Sequence, residues 1–161
     1  MVIVIMGVAG SGKSTIGQAL ARDLGWGFID ADDLHPPANI ERMRAGLPLT
    51  DADRAPWLAA LRELIARCLA QQHHVVLAAS LLKAAYREAV GVDQDQVRLV
   101  FLHADPTLIR QRLEKRQGHF MAAVMLDSQL ATLEVPDTGL RVDASQPQAQ
   151  IVTAIRRGVS L

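Results

Sequence analysis

Three groups of residues in this chain have the types and spacing for chemistry: a lysine and serine set among glycines, a cluster of aspartates, and a series of arginines. From Gly7 to Ser14 the spacing is G-x-x-x-x-G-K-S. Glycines there let backbone N–H groups turn toward one point that a side chain would otherwise fill. A phosphate suits that point. Gly7, Val8, Ala9, Gly10, Ser11, Gly12, Lys13, Ser14 and Thr15 form the expected cradle. Lys13 brings a mobile charge to the outer phosphates, and Ser14 an oxygen for Mg²⁺. Such a loop is common to many unrelated ATPases and GTPases, so by itself it fixes a nucleotide class and no acceptor.

The aspartates Asp30, Asp32 and Asp33 close a short apolar run. Carboxylates at a strand end lie where open parallel sheets hold ligands; a cap or solvated turn is the alternative use. Arg54 precedes an apolar stripe and is either solvated or points a rigid donor fork into a cleft. Lys83 and Arg87, four apart, share a helix face turned either to the cleft or to solvent. Leu108, Arg112 and Arg116 recur every four residues, so two arginines climb one helix edge, to meet an anion or to snorkel. His73 and His74 adjoin on an extended segment and point to opposite sides, which makes no metal pair. Cys68 sits on an apolar stripe and reads as core packing.

Elements must position these groups. Val2 to Met6 is too short for a lone helix and rich in β-branched residues, which predicts a buried parallel strand. The helix after it opens at Ser14, carries Ile16, Ala19, Leu20 and Leu24 on one face, and stops at Gly25. Strands are predicted over 27–30, 75–79, 97–102 and 140–143. Helices are predicted over 39–45, from about 50 to 69, after Ser80, from Asp105–Pro106, and from 147 to about 157. Between Gly118 and Pro136 the chain is apolar on one helical side only, and 117–135 reads as a hinged flap. Alternating strands and helices behind a phosphate loop predict an α/β fold, five parallel strands covered on both faces through right-handed crossovers.

Composition narrows the classes. The 161 residues, 50% apolar, fit one domain, 1–161, with a substantial core. Lys plus Arg balance Asp plus Glu at 17 each, so no net field gathers polyanions and nucleic acid is not the expected partner. The single cysteine forms no internal disulfide and the amino terminus runs directly into a strand, which points to the cytoplasm. No apolar run approaches the ~20 residues of a membrane span.

Several stretches resemble the small bacterial-type gluconokinases, relatives of shikimate and adenylate kinases, and the likeness covers nearly the whole chain. It is carried by 6–14, by Phe28-Ile29-Asp30-Ala31-Asp32-Asp33-Leu34-His35-Pro36, by Asn39-Ile40-Glu41-Arg42-Met43, and by Asp53-Arg54 with Pro56-Trp57-Leu58. Gly46, Pro48-Leu49, Asp51, Leu82-Lys83, Tyr86-Arg87 and Gly118-His119-Phe120 complete it. Two departures stand out: Ala31 replaces a glycine common between the two aspartates, and Ala79-Ser80-Leu81 replaces Cys-Ser-Ala. The resemblance implies a P-loop NTPase fold of the nucleoside/shikimate-kinase type, a three-layer sandwich with a helical lid over ATP and gluconate, and points to a homodimer. It makes Asp32 the base that accepts the acceptor's proton, Asp30 a support for Mg²⁺ through water, and Ser14 its direct ligand. Lys13, Arg112 and Arg116 would spread positive charge around the transferring oxygens, one of the two arginines also stacking on adenine. Arg54, Lys83 and His35 are candidates for the sugar acid; His119 contacts phosphate or sugar, or is a plain hinge residue. The competing functions are a shikimate- or nucleoside-type kinase and an ATP-dependent switch module.

Overall fold

The computed structural model describes residues 1–92, 95–117 and 120–160, and for 116, 117 and 120–124 the backbone path only. Val2–Met6 (β1) is buried at every position, as its uninterrupted apolar run demands of a central strand. Alternation along β1 divides the core. Val2, Val4 and Met6 pack with Trp57, Leu61 and Ile65 of α3 (Asp51–Ala70). Ile3 and Ile5 pack instead with Ile16 and Leu20 of α1 (Lys13–Leu24) and with Ile151 and Ile155 of α7 (Gln148–Gly158). Each such side chain contributes about 1.5–3 kcal/mol by leaving water.

On either side of β1 lie β3 (Val75–Ala78) and β4 (Val97–His103), with β2 (Gly27–Asp30) and β5 (Leu140–Asp143) outside them. The order is β2-β3-β1-β4-β5, and every pair is parallel. Ala78 stands opposite both Ile5 and Asp30. The loop after β1 and the acidic segment after β2 therefore leave the sheet at one level. Because β1 connects to β2 on one side and β3 crosses to β4 on the other, a crevice opens at the carboxyl ends of these strands.

After β2 a 3-10 turn over Ala31–Leu34 leads to α2 (Pro37–Arg44). The start of α3 is fixed by a reciprocal cap: the Asp53 N–H donates to Thr50 Oγ1 at 3.1 Å, and the Thr50 N–H donates to Asp53 Oδ2 at 2.9 Å. Arg54 and Trp57 follow within the next turn, so this cap orients both.

One expectation changes. Lys83 is extended (φ −91°, ψ 147°) and only Ala84–Val90 forms a helix, α4. Helical spacing therefore does not pair it with Arg87, which turns inward and donates to the carbonyls of Leu81 (3.0 Å) and Leu82 (3.1 Å). The second half of the predicted flap packs against the body of the protein. Following α5 (Pro106–Gln117), α6 (Phe120–Thr132) buries Leu126 completely in a cluster with Val8, Leu82 and Ile109. Just beyond it, the Glu134 N–H donates to Leu82 O at 2.9 Å, and a Glu134 carboxylate oxygen accepts from the Ala84 N–H at 2.7 Å. The one-sided apolar pattern of this segment faces that cluster. Among the described residues no helix is long and apolar enough to cross a membrane.

Candidate active site

The loop from Gly7 to Ser14 wraps the amino end of α1. A Cβ on Gly7 would lie 2.6 Å from Ser11 Oγ and 2.7 Å from Leu102 O, so only glycine permits this closure. Gly12 precedes the helix with φ 98°, a left-handed conformation that costs other residues. The positive end of the α1 dipole consequently faces the loop. Lys13 Nζ reaches back along the loop to donate to Val8 O at 3.1 Å.

Behind the loop, Ser14 Oγ donates to Asp30 Oδ2 at 2.6 Å, and Asp30 Oδ1 accepts from the Asp32 N–H at 3.1 Å. One hydroxyl and one carboxylate form a sparse set of hard oxygen donors. Among the described residues no group of three His, Cys, Asp or Glu gathers for a metal. Such a pair fits Mg²⁺, which keeps several waters and takes its remaining ligands from substrate phosphates.

Two cavities flank the loop. One, of about 360 Å³, is lined by Gly10, Gly12, Thr15, Arg112, Ala144 and Gln146. Arg112 crosses its wall, donating through Nη2 to Ala144 O at 2.7 Å. The other, of about 380 Å³, brings together Lys13, Asp32, His35, Arg54, Ser80 and Gln129. A larger groove, about 680 Å³, lies near Val97 and Leu140, at the amino ends of β4 and β5. That is the end of a parallel sheet opposite to where ligands bind.

Within the 380 Å³ cavity the charges are unusual. Burial raises the pKa of Asp32 above the ordinary 3.8, and the positive charge of Lys13 only partly opposes this. His35 stacks on Trp57 with ring centroids 4.5 Å apart and planes inclined by 10°. Burial, and then the charge of Arg54, lowers its pKa to about 4, so the ring is neutral at pH 7. Asn39 Nδ2 lies 2.7 Å from Asp53 O and 3.3 Å from His35 Nδ1. An amide nitrogen only donates, which assigns Nδ1 as acceptor and leaves the proton on Nε2. Trp57 is itself held by its indole N–H, which donates to Ala31 O at 2.7 Å. Ala31 is fully buried and does not line the cavity.

Arg54 encloses its Nε without a hydrogen-bond partner and holds its guanidinium 5.6 Å from the Tyr86 ring centroid. A buried donor left open in this way costs stability unless a ligand completes it. Lys83 does not join it. Its Nζ is 2.9 Å from Asp51 Oδ1, and Asp51 also accepts from the Tyr86 hydroxyl. That ion pair lies outside the residues lining the cavity. The hydrogen bond to Asp51 raises its pKa, and the Tyr86 and Lys83 bonds lower that of Asp51.

Ser80, the serine retained between the departures Ala79 and Leu81, lines the cavity. His119 and the side chain of Arg116 lie outside the described residues. Sequence reasoning missed Gln129, Ser128 and Met125 of α6, which line the cavity with the others. Their only signal is i, i+3, i+4 spacing on a helix that carries no motif.

A family model described as an AAA domain matches residues 2–136. The chain is 48% identical over 134 residues to the gluconokinase of Gluconobacter oxydans (strain 621H), covering 83% of this chain and 75% of that protein. It is 37% identical to the thermoresistant gluconokinase of Escherichia coli (strain K12), over 95% of this chain and 90% of the other. Among solved structures, a gluconokinase from Sinorhizobium meliloti 1021 superimposes with a TM-score of 0.86 at 44% identity, covering 98% of this chain and 90% of that one. A Mycobacterium tuberculosis APS kinase shares the fold at 21% identity and a TM-score of 0.73.

Proposed function

The chain belongs to the gluconokinase family, and on that premise we propose that it transfers the γ-phosphoryl group of ATP in line to the 6-hydroxyl of D-gluconate, releasing 6-phospho-D-gluconate and ADP. The observation that carries this reading is a single cavity shared by Lys13, Asp32, His35 and Arg54, with the phosphate loop as one wall. A phosphate clamp, a carboxylate base, a neutral donor and a fixed cation are what a hydroxylated carboxylate needs to become a phosphoryl acceptor.

Phosphoryl transfer asks the protein mainly for positioning and charge. Asp32 takes the proton from the attacking hydroxyl; its raised pKa makes it a better acceptor than an ordinary aspartate near neutrality. Lys13 leaves Val8 O to follow the negative charge on the transferring oxygens, assisted by the α1 amino end. Arg54 receives the gluconate carboxylate, which completes its open Nε. His35 donates its Nε2–H to a hydroxyl and, being neutral, does not compete for the carboxylate. Ser14, backed by Asp30, would hold Mg²⁺, which would supply positive charge to offset that of the phosphates. Arg112, which lines the cavity on the far side of the loop, and Arg116, one turn on in α5, serve the ATP, one at its phosphates and one at its adenine. The cytoplasm, with its ATP and reduced thiols, suits the reaction and the single buried Cys68.

A coupled ADP-release assay over gluconate, other aldonates, shikimate and nucleosides tests the assignment. Turnover confined to gluconate or close aldonates is expected. Turnover with shikimate or a nucleoside, and none with any sugar acid, would overturn it.

A further inference from the structure

The acceptor cavity has a roof that the roles above leave unused. Met125, Ser128 and Gln129 of α6 line it, while Leu126, Leu130 and Leu133 pack on the cluster around Val8 and Ile109. The helix is also tied at both flanks, by Glu134 to α4 and by an Arg110–Asp127 ion pair of 2.7 Å to α5. The cavity residues thus sit on a packed helix and not on a loop, a setting suited to a residue that must discriminate.

Gln129 stands out on that helix, because its Oε1 accepts from the Ala9 N–H at 2.6 Å. A backbone N–H only donates, so the carboxamide is held with oxygen on the loop and its NH₂ on the opposite edge. Gln129 also lines the cavity shared by Asp32, His35 and Arg54. Ala9 belongs to the loop that grips the transferable phosphate, which places this carboxamide at the reacting end of the acceptor. The carboxylate end is taken by Arg54.

We propose that Gln129 is a specificity-determining residue for the acceptor, donating an N–H to the hydroxyl beside the one that receives phosphate, the C5 hydroxyl of gluconate. A neutral donor whose own acceptor is already engaged matches a hydroxyl and gives no charge to attract a competing anion. The inference rests on the gluconate-kinase reading above.

The test compares kcat/KM for gluconate and 5-deoxygluconate in the wild type, Gln129→Leu and Gln129→Met. The Met variant keeps chain length and helix propensity, so the comparison survives if the Leu variant packs badly. Both variants should lose about tenfold on gluconate, the worth of one hydrogen bond in a closed site. They should change less than about twofold on 5-deoxygluconate and in the KM for ATP. If gluconate and 5-deoxygluconate fall together, so that their ratio equals that of the wild type, Gln129 only braces the loop and the proposal is overturned. If the wild type phosphorylates no aldonate at all, the kinase reading fails first, a result distinct from an unchanged ratio.

Discussion

The two cavities beside the phosphate loop are built in opposite ways. The nucleotide side draws on a contiguous run, Gly7 to Thr15, with Arg112 and a few residues after β5 added. The acceptor side has no contiguous core: Lys13, Asp32, Arg54, Ser80 and Gln129 come from five separate segments. A contiguous site tolerates shifts of its surroundings, because its geometry is set by local backbone. A site gathered from distant segments depends on each cap and packing contact that holds them in register. Changes in the first should therefore act on ATP and the transition state whatever the acceptor, whereas changes in the second should act on gluconate first.

Lys13→Met gives the largest effect expected: a loss of a thousandfold or more in kcat with every acceptor. The melting temperature should stay within a few degrees of the wild type. Asp32→Asn crosses the divide, lowering kcat about a hundredfold to a thousandfold while ATP affinity by titration calorimetry stays within about threefold. In the wild type the acidic limb of kcat/KM for gluconate should fall above pH 3.8, because burial raises the Asp32 pKa, and the variant should lack that limb. Arg54→Ala should raise the KM for gluconate about ten- to a hundredfold, the range for losing a charge-assisted bond, with the KM for ATP almost unchanged. An equal rise in both would erase the division between the cavities.

Smaller effects probe how the acceptor side is held. Burial and the Arg54 charge lower His35 from 6.5 to about 4, so between those values the unfolded chain binds a proton that the folded chain refuses. Stability contributed by this site is present above about pH 6.5 and declines as pH falls toward 4. Urea midpoints across that window should fall less steeply in His35→Gln. Thr50→Ala removes half of the reciprocal cap that starts α3, costing about 1 kcal/mol and ~2–4 °C in melting temperature. It should raise the KM for gluconate more than that for ATP, because Arg54 and Trp57 ride on that first turn.

Much of this was legible in the chain itself. The buried β1, the glycine-spaced loop, the five parallel strands and the kinase family all follow from local patterns, and all are seen in the structure or the comparisons. Lys83 was misplaced because a four-residue interval implies a shared face only inside a helix, and Lys83 precedes one. The span 117–135 carries a one-sided apolar helix, a pattern that serves equally a segment closing over a ligand and one packing on a core, and its second half packs on the cluster around Val8.

By itself the sequence determined what depends on neighbours along the chain. Glycines set the loop's backbone, alternating apolar runs set the sheet, and the carboxylates at the end of β2 follow that strand wherever it goes. Only the tertiary structure decided what depends on distance in space. Burial and the Arg54 charge keep His35 neutral, Asp51 pairs with Lys83, Arg54 keeps an open nitrogen, and Gln129 closes on Ala9 from 120 residues downstream. Burial and charge are fixed by the sum of surroundings, and those exist only once the segments have packed.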